Sequence, residues 1–444
     1  MALLHKVSPL LLESESNRPS FVPKVVSIGP YHHGDDRLAA MEPLKKLASD
    51  RYCTEARKRV HDMAESVRNM YEIDPYLKLD PDKFKDMLFH DACFLVHFII
   101  CHQNFPHPST ASAVASDHQG STTTDQAASS EYLVDLPIQT GQPTSSEECL
   151  VDLHLQGFVV RDLFLLENQL PYKVLKAVVS DPSSFDKKVE EFIRSVSRNN
   201  DDRANDPVTN TKAVSKDTTK GAPDEQRIDM CDTQNLLDML HQKLVKPKAC
   251  DGQRSRYGWD SLKFRSVKEL TEAGIKFKPN KIGNLTDVKY KEEYLCGILS
   301  LPRMIIDDTT KSKLLNLMAL EMCPKGARGY GITSYVCLLD NLIDHADDVR
   351  ELRLRGVLVN CLGNDQQVAD LFNELANDRT PDPEAYVDII TKIHDHLDNW
   401  CKVTIATTYN THFNTPWSKV ATIAATLGLA LSAVQAWYSV PSAK

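Results

Sequence analysis

No GxSxG, GxxxxGK[ST] or HExxH motif occurs in the sequence. Their absence removes the readiest hydrolase, nucleotide-binding and metalloprotease readings. No CxxC pair occurs either. The 11 cysteines are an odd number scattered through mostly apolar segments, a pattern of reduced thiols rather than of a secreted disulfide framework. No long basic run stands out, and the net charge is −9, so nucleic acid is not an expected partner. The stretch MALLHKVSPLLLESES is a poor signal peptide, because Lys6, Pro9 and Glu13 break its apolar pieces and no clean apolar core precedes a small-residue cleavage site.

What is present is enough for a large core. A chain of 444 residues with 42% apolar and 25% charged residues is ordinary for a globular protein. Two stretches interrupt the globular pattern. The first, about 106–148, is rich in Ser, Thr, Gln and Ala and carries a local duplication, SSEYLVDLPIQ from Ser129 and SSEECLVDLHLQ from Ser145. Two copies are too few for a solenoid. The second, about 197–227, has almost no large apolar residues. Neither can bury enough surface to offset its ordering entropy, so both are expected to be disordered loops.

The rest reads mainly as helix. Residues 83–102 are apolar nearly all round from Ala92 and predict a buried core helix. A second apolar helix is expected over 158–169, stopped by Pro171, which then opens PYKVLKAVV. Leu237, Leu240 and Leu244 share a face, as do Val336, Leu339 and Ile343. Tyr386, Ile390, Ile393, Leu397 and Trp400 form an amphipathic stripe. GIKFKP, TDVKYK and GILSLPRMIID carry strand signals with a turn at Pro279-Asn280. The expected class is mainly α (α+β), a helical body over 1–416 with a small β-sheet.

The carboxyl-terminal stretch is different. Residues 420–440 carry no charge over 21 positions, about 31 Å as a helix, near one hydrocarbon core. Trp417, Trp437 and Tyr438 sit near its ends, where amphipathic rings settle at a membrane interface. A transmembrane helix over 417–440 with a short tail, 441–444, is the expectation. The alternative is an alanine-rich helix buried in a soluble scaffold. Ala424, Gly428 and Ser432 recur every four residues and would let two such helices approach closely, so a homo-oligomer or a partner helix fits.

Five polar groupings raise chemistry. Cys93, His97 and Cys101 share a helical face, but zinc needs a fourth ligand and the segment is intensely apolar. His394 and His396 fall off the apolar stripe and are expected to face water. GARGYG lacks the dinucleotide spacing. In RDLFLLENQLP, Asp162 and Glu167 stand ~140° apart on a helix, too far round to act as an acid–base pair. A structural reading is better: Glu167, Asn168 and Gln169 supply partners for backbone groups freed around Pro171. In SIGPYHHG, Gly29-Pro30 and Gly34 bend the chain, Tyr31 can bury its ring, and His32 and His33 are expected to bond to backbone in that turn.

These stretches occur in a fixed order. VVSIGPYHHG, MEPLKK from Met41, DACFLV from Asp91 and RDLFLLENQLPYKVL from Arg161 come first; LLDML, VKELTEAGIKFKP, GILSLP, NLMALE, DLFNEL and NTPWSKVATIAA follow. The chain closely resembles the plant family known as domain of unknown function 247 over nearly its whole length, apart from the two low-complexity loops. The resemblance implies a mostly helical body with one carboxyl-terminal membrane span, and no catalytic residue, cofactor or metal. Some members in grasses are linked to self-incompatibility as pollen-side recognition factors, and others to defence or stress. The motif residues it marks are Ser27, Gly29, Pro30, Tyr31, His32, His33, Glu42, Asp162, Glu167, Asn168, Gln169, Pro171 and Trp417.

The resulting expectation is a single-pass membrane protein that recognises an unknown protein partner and is not an enzyme. The rival is an enzyme of unknown reaction with its site around His32, His33, Glu167 and Gln169, which requires those four to converge in an open pocket. Without a signal peptide the body is expected in the cytosol, at the plasma membrane or an endomembrane. An extracellular body would expose the sequon Asn284-Leu285-Thr286 to glycosylation.

Overall fold

The computed structural model describes residues 4–72, 79–102, 150–197, 235–245, 266–280, 284–294, 296–324, 329–412 and 416–439. Both low-complexity stretches fall outside these, apart from Ser197. The first helices are α1 (Pro9–Leu12), α2 (Glu42–Ser49), α3 (Thr54–Arg68), α4 (Pro81–His102), α5 (Leu153–Asp162), α6 (Tyr172–Val178), α7 (Pro182–Ser197), α8 (Leu236–Leu244) and α9 (Val267–Glu272). Strands β1 (Ile275–Asn280), β2 (Lys289–Glu292), β3 (Gly297–Pro302) and β4 (Met304–Ile306) follow. Then come α10 (Thr310–Glu321), α11 (Gly331–Leu342), α12 (Ala346–Leu354), β5 (Leu358–Asn360), α13 (Asp365–Ala376), α14 (Val387–Asp398), α15 (Trp400–His412) and α16 (Pro416–Ser439).

A helix apolar on every side must be enclosed. α4 is that helix: from Met87 to Ile99 only His90 is not fully buried. Asp80 starts it by accepting from the N–H groups of Asp82 and Lys83 at 3.2 and 3.4 Å. Around it pack α2, α3, α6 and α7. Phe98 meets Phe192 of α7 edge-on, with centroids 6.4 Å apart.

The strand signals become a three-stranded sheet in the order β1-β3-β2. β3 runs parallel to β1, with Phe277 opposite Leu299, and antiparallel to β2, with Tyr290 opposite Leu299. The central strand reads GILSLP and is buried almost throughout, whereas β2 reads KYKE and is mostly exposed. Charged lysines on that edge discourage further pairing. A second, two-stranded sheet pairs β4 with β5 in parallel. Its strand β5 has only three residues, too few to show a period.

Three expectations change here. The helix expected over 158–169 stops at Asp162, and Pro171 is the N-cap of α6 rather than its first residue. Trp400 leaves the apolar stripe: α14 ends before it, and it is 73% exposed at the start of α15. Tyr386 precedes α14 in a left-handed conformation, φ 59°.

The third concerns α16. Its described side chains cover 420–435. Among the described residues no helix is long and apolar enough to cross a membrane, so the span expected over 420–440 is not met by them. The alternative of a helix buried in a soluble scaffold is not met by them either. Every one of these side chains is exposed except half-buried Thr422. Ala424, Gly428 and Ser432 lie on this exposed helix; a Cβ added at Gly428 would meet nothing within 4 Å, and the Ser432 hydroxyl donates to the Gly428 carbonyl at 2.8 Å. Trp417 falls in α16 with its side chain outside the described residues.

Candidate functional site

The two most distinctive motifs meet. Residues 22–29 belong to no helix or strand, and 26–29 are buried, so their backbone groups must be satisfied by side chains. Asp162, at the end of α5, supplies one acceptor for three of them. Its Oδ2 accepts from the N–H groups of Lys24 at 2.9 Å, Val25 at 2.7 Å and Val26 at 3.2 Å. Its Oδ1 accepts from Arg161 at 2.7 Å, and the same guanidinium donates to the carbonyls of Val22 at 3.1 Å and Pro19 at 2.7 Å. Burial pushes the Asp162 carboxyl above its ordinary range, against the pull of the Val25 N–H and Arg161.

Asn168 continues the pattern one step along. Its Oδ1 accepts from the Ile28 N–H at 2.6 Å, and its Nδ2 donates to the carbonyls of Val26 at 3.0 Å and Asp162 at 2.9 Å. Gln169 closes the turn after α5 by donating to the carbonyls of Leu163 and Leu165 at 2.7 and 2.8 Å, while accepting from the Leu237 N–H at 3.3 Å. This is why the helix stops early: the carbonyls that a continued helix would have paired are caught by these two amides. Asn316 of α10 ties in the same turn, accepting from the Leu166 N–H at 2.8 Å and donating to the Ser20 carbonyl at 2.9 Å.

Gly29 sits where this segment turns. Its φ is +75°, and a Cβ there would lie 2.9 Å from the Gln169 carbonyl oxygen and 3.1 Å from the Tyr71 hydroxyl. Only glycine fits. Its N–H donates to Asp91 of α4 at 2.8 Å. The other Asp91 oxygen holds the fully buried Lys45 ammonium at 2.8 Å, which also reaches Glu42 at 2.6 Å and Ser27 Oγ at 3.1 Å. Burial opposes the Lys45 charge, yet Asp91 and Glu42 more than offset it and hold Lys45 above the ordinary lysine value. Burial also pushes Asp91 up, against Lys45. The two shifts pull opposite ways on the pair, and three oxygens around one Nζ decide for the charged form.

Tyr31 anchors the far side. It lies edge-on to Tyr71, centroids 5.6 Å apart, and its hydroxyl donates to the Leu4 carbonyl at 2.9 Å while accepting from the Glu72 N–H at 2.9 Å. Beside it, His32 Nε2 lies 3.6 Å from Glu167 Oε2, and Glu167 Oε1 accepts from the Val7 N–H at 2.8 Å. Burial pulls the His32 imidazole down to about 4, with Asp35 opposing, so at neutral pH the contact with Glu167 is not an ion pair. His33 Nδ1 is buried without a hydrogen-bond partner. The expectation that both histidines bond to backbone is therefore not met.

Of the four residues the enzyme reading needs, His32 and Glu167 come together. Gln169 does not join them: it is 3% exposed and its amide is committed to main chain. The sequence reading named Glu42, Asp162, Asn168 and Gln169 but missed Lys45, Asp91, Arg161 and Asn316. One signal for Asp91 was legible, a lone carboxylate inside an apolar helix, which demands a buried cation.

The cysteine–histidine face of α4 and His396 are also structural, and half of GARGYG lies outside the described residues. Cys93 is buried and burial pushes its thiol up, away from the thiolate a metal needs. His97 packs against Cys101, 3.6 Å from Nε2, and against Arg51, 3.3 Å from Nε2. Among the described residues no group of three or more His, Cys, Asp or Glu could hold a metal ion. His396, expected to face water, is buried instead, with Glu292 at 2.9 Å from Nδ1 and the Ala273 carbonyl at 3.1 Å from Nε2. It ties α14 to β2 and to the end of α9. The apolar stripe marks only part of the buried face, which runs on through Ile390, Ile393 and His396.

Comparison with known proteins gives the family. No solved structure matches the chain. A protein of Arabidopsis thaliana named Putative UPF0481 protein At3g02645 is 30% identical over 177 residues, which cover 40% of this chain and 33% of that protein. This chain's match thus spans about a third of that relative's length. UPF0481 protein At3g47200 of the same plant is 22% identical over 452 residues, covering 96% of this chain and 84% of that protein. The family model described as "Plant protein of unknown function", DUF247, matches residues 4–431, a range that holds every residue of the knot built around Asp162, and the chain belongs to this plant family.

Proposed function

We propose that the protein is a membrane-anchored recognition protein, that it works by binding another protein, and that it catalyses no reaction. The observation that carries this reading is α16. Val420, Ile423, Leu427, Leu429, Leu431 and Val434 are each 51–71% exposed, and no charge falls within 420–440. Apolar surface of that extent on one helix calls for an apolar surrounding. The motif residues support the non-enzymatic part of the reading, since their polar atoms are mostly committed to holding backbone. Recognition in pollen–stigma self-incompatibility or in defence signalling fits a body of this kind displayed at the plasma membrane or an endomembrane, with its bulk in the cytosol.

The test is fractionation of the full-length protein expressed in plant cells, beside a chain lacking 420–440. The anchored reading expects the full chain in the membrane fraction, resistant to carbonate wash, and the shortened chain in the supernatant. Full-length protein in the supernatant, with the deletion changing nothing, sinks it. Protease protection of an amino-terminal tag in intact protoplasts then places the body inside or outside.

A further inference from the structure

Two helix faces meet at a small cavity. On α5, Gly157, Val160 and Arg161 stand three and four residues apart and share one face. At the start of α10, the N-cap Thr309 and Lys313 stand four apart and share another. These residues and Phe164 line a cavity of about 40 Å³, room for a group of about three heavy atoms. Gly157 is exposed, and a Cβ there would meet nothing within 4 Å, so the space beside it is free.

Lys313 is half-buried, and among the described residues its ammonium has no hydrogen-bond or ion-pair partner. The carboxylate that acts on it, Asp307, is engaged elsewhere. Its Oδ1 accepts from the Thr309 N–H at 2.9 Å and from the hydroxyls of Thr309 and Thr310 at 2.8 and 3.0 Å. Loss of water around the amine lowers Lys313 below the ordinary lysine value, against the pull of Asp307. An amine that releases its proton more readily is a better nucleophile at neutral pH. Arg161 brings five N–H donors to the wall, and three of them are taken by Asp162, Val22 and Pro19. Spare donors beside the Val160 side chain suit a carbonyl that carries a short alkyl group. An anionic adduct would face Asp307, so an uncharged one is favoured.

We infer that Lys313 is a modification site, acylated by short activated acyl donors of the thioester class. The neutral Nζ attacks the acyl carbon. The C–N bond forms, the C–S bond breaks, and the departing thiolate takes up a proton equivalent to the one that Nζ releases. The amide product is uncharged, which removes the cost of keeping an unpaired ammonium in that position. The site shares Arg161 with the knot around Asp162 and does not depend on the anchoring of α16.

The test is acetylation of the full-length protein at pH 7.5 by S-acetyl-N-acetylcysteamine, a small thioester, followed lysine by lysine with peptide mass spectrometry. Lys58, an exposed lysine of α3, is the internal reference. Lys313 is expected to acetylate several-fold faster than Lys58 although it is less exposed. Gly157→Leu favours the helix, since leucine is the better helix former, and fills the open side of the cavity. It should bring Lys313 down to the Lys58 rate or below and leave Lys58 unchanged. Asp307→Asn keeps a side-chain acceptor at that position but removes the charge that holds the Lys313 proton, so it should speed Lys313 further. Thermal unfolding checks that both variants are folded. A Lys313 no faster than Lys58, unchanged labelling of Lys313 in Gly157→Leu, or no gain in Asp307→Asn each overturns the inference.

Discussion

The knot around residues 22–29 and the helix α16 depart from ordinary burial in opposite ways. In the knot, charged and amide side chains are driven inside: Asp162 and Lys45 are both 0% exposed. In α16, leucine and valine are left outside. The knot tolerates its polarity because nearly every buried group has a partner, and each acceptor serves several donors. The helix has no such internal solution, since an apolar side chain can be satisfied only by what surrounds it. The first region therefore reports on how the chain folds, and the second on where it resides.

Breaking the knot should be costly. Asp162→Ala strips the acceptor from three backbone N–H groups and from Arg161. About 4–5 kcal/mol of stability should be lost by urea unfolding. Lys45→Met leaves Asp91 and Glu42 facing each other without a cation and should cost about 3–4 kcal/mol. Adding Asp91→Leu should recover most of that, short of the roughly 1 kcal/mol for the Gly29 N–H left unpaired. Recovery in the double variant separates a buried charge penalty from simple loss of packing. Gly29→Ala should cost about 2 kcal/mol through its positive φ and the close Gln169 carbonyl.

The smaller effects sharpen the contrast. His32 ordinarily titrates near 6.5 and is held down to about 4 in the folded protein. Between those values the unfolded chain binds a proton that the folded chain refuses, so stability falls as pH drops through that window. His32→Gln should flatten that slope, measured as the unfolding midpoint from pH 7 to pH 4.5. On α16, Leu429→Ser with Leu431→Ser should move the unfolding midpoint by less than about 0.5 kcal/mol while lowering the share of protein in the membrane fraction. A large stability loss from that pair would mean that the helix packs on the body.

Much of this was legible in the residues. α4 announced itself by being apolar on every side, and GILSLP by its strand signals between turns. RDLFLLENQLP was correctly read as a source of backbone partners around a break. What could not be read was which backbone it would serve, because the partners lie 136–142 positions away. The same limit hid Lys45, the cation that Asp91 demands, until the fold brings the two to 2.8 Å. His396 was misplaced because the apolar stripe marks only part of the buried face of α14, which extends round to it.

Asp162 follows Lys24 by 138 positions. During synthesis the segment around Lys24 must leave the ribosome long before its acceptor does. Once Asp162 and Asn168 arrive, closure depends only weakly on how much chain lies between, because each doubling of a flexible loop adds only about 0.6 kcal/mol. An insertion between α4 and α5 can therefore lengthen with little thermodynamic penalty, as long as the two ends of the knot still find each other.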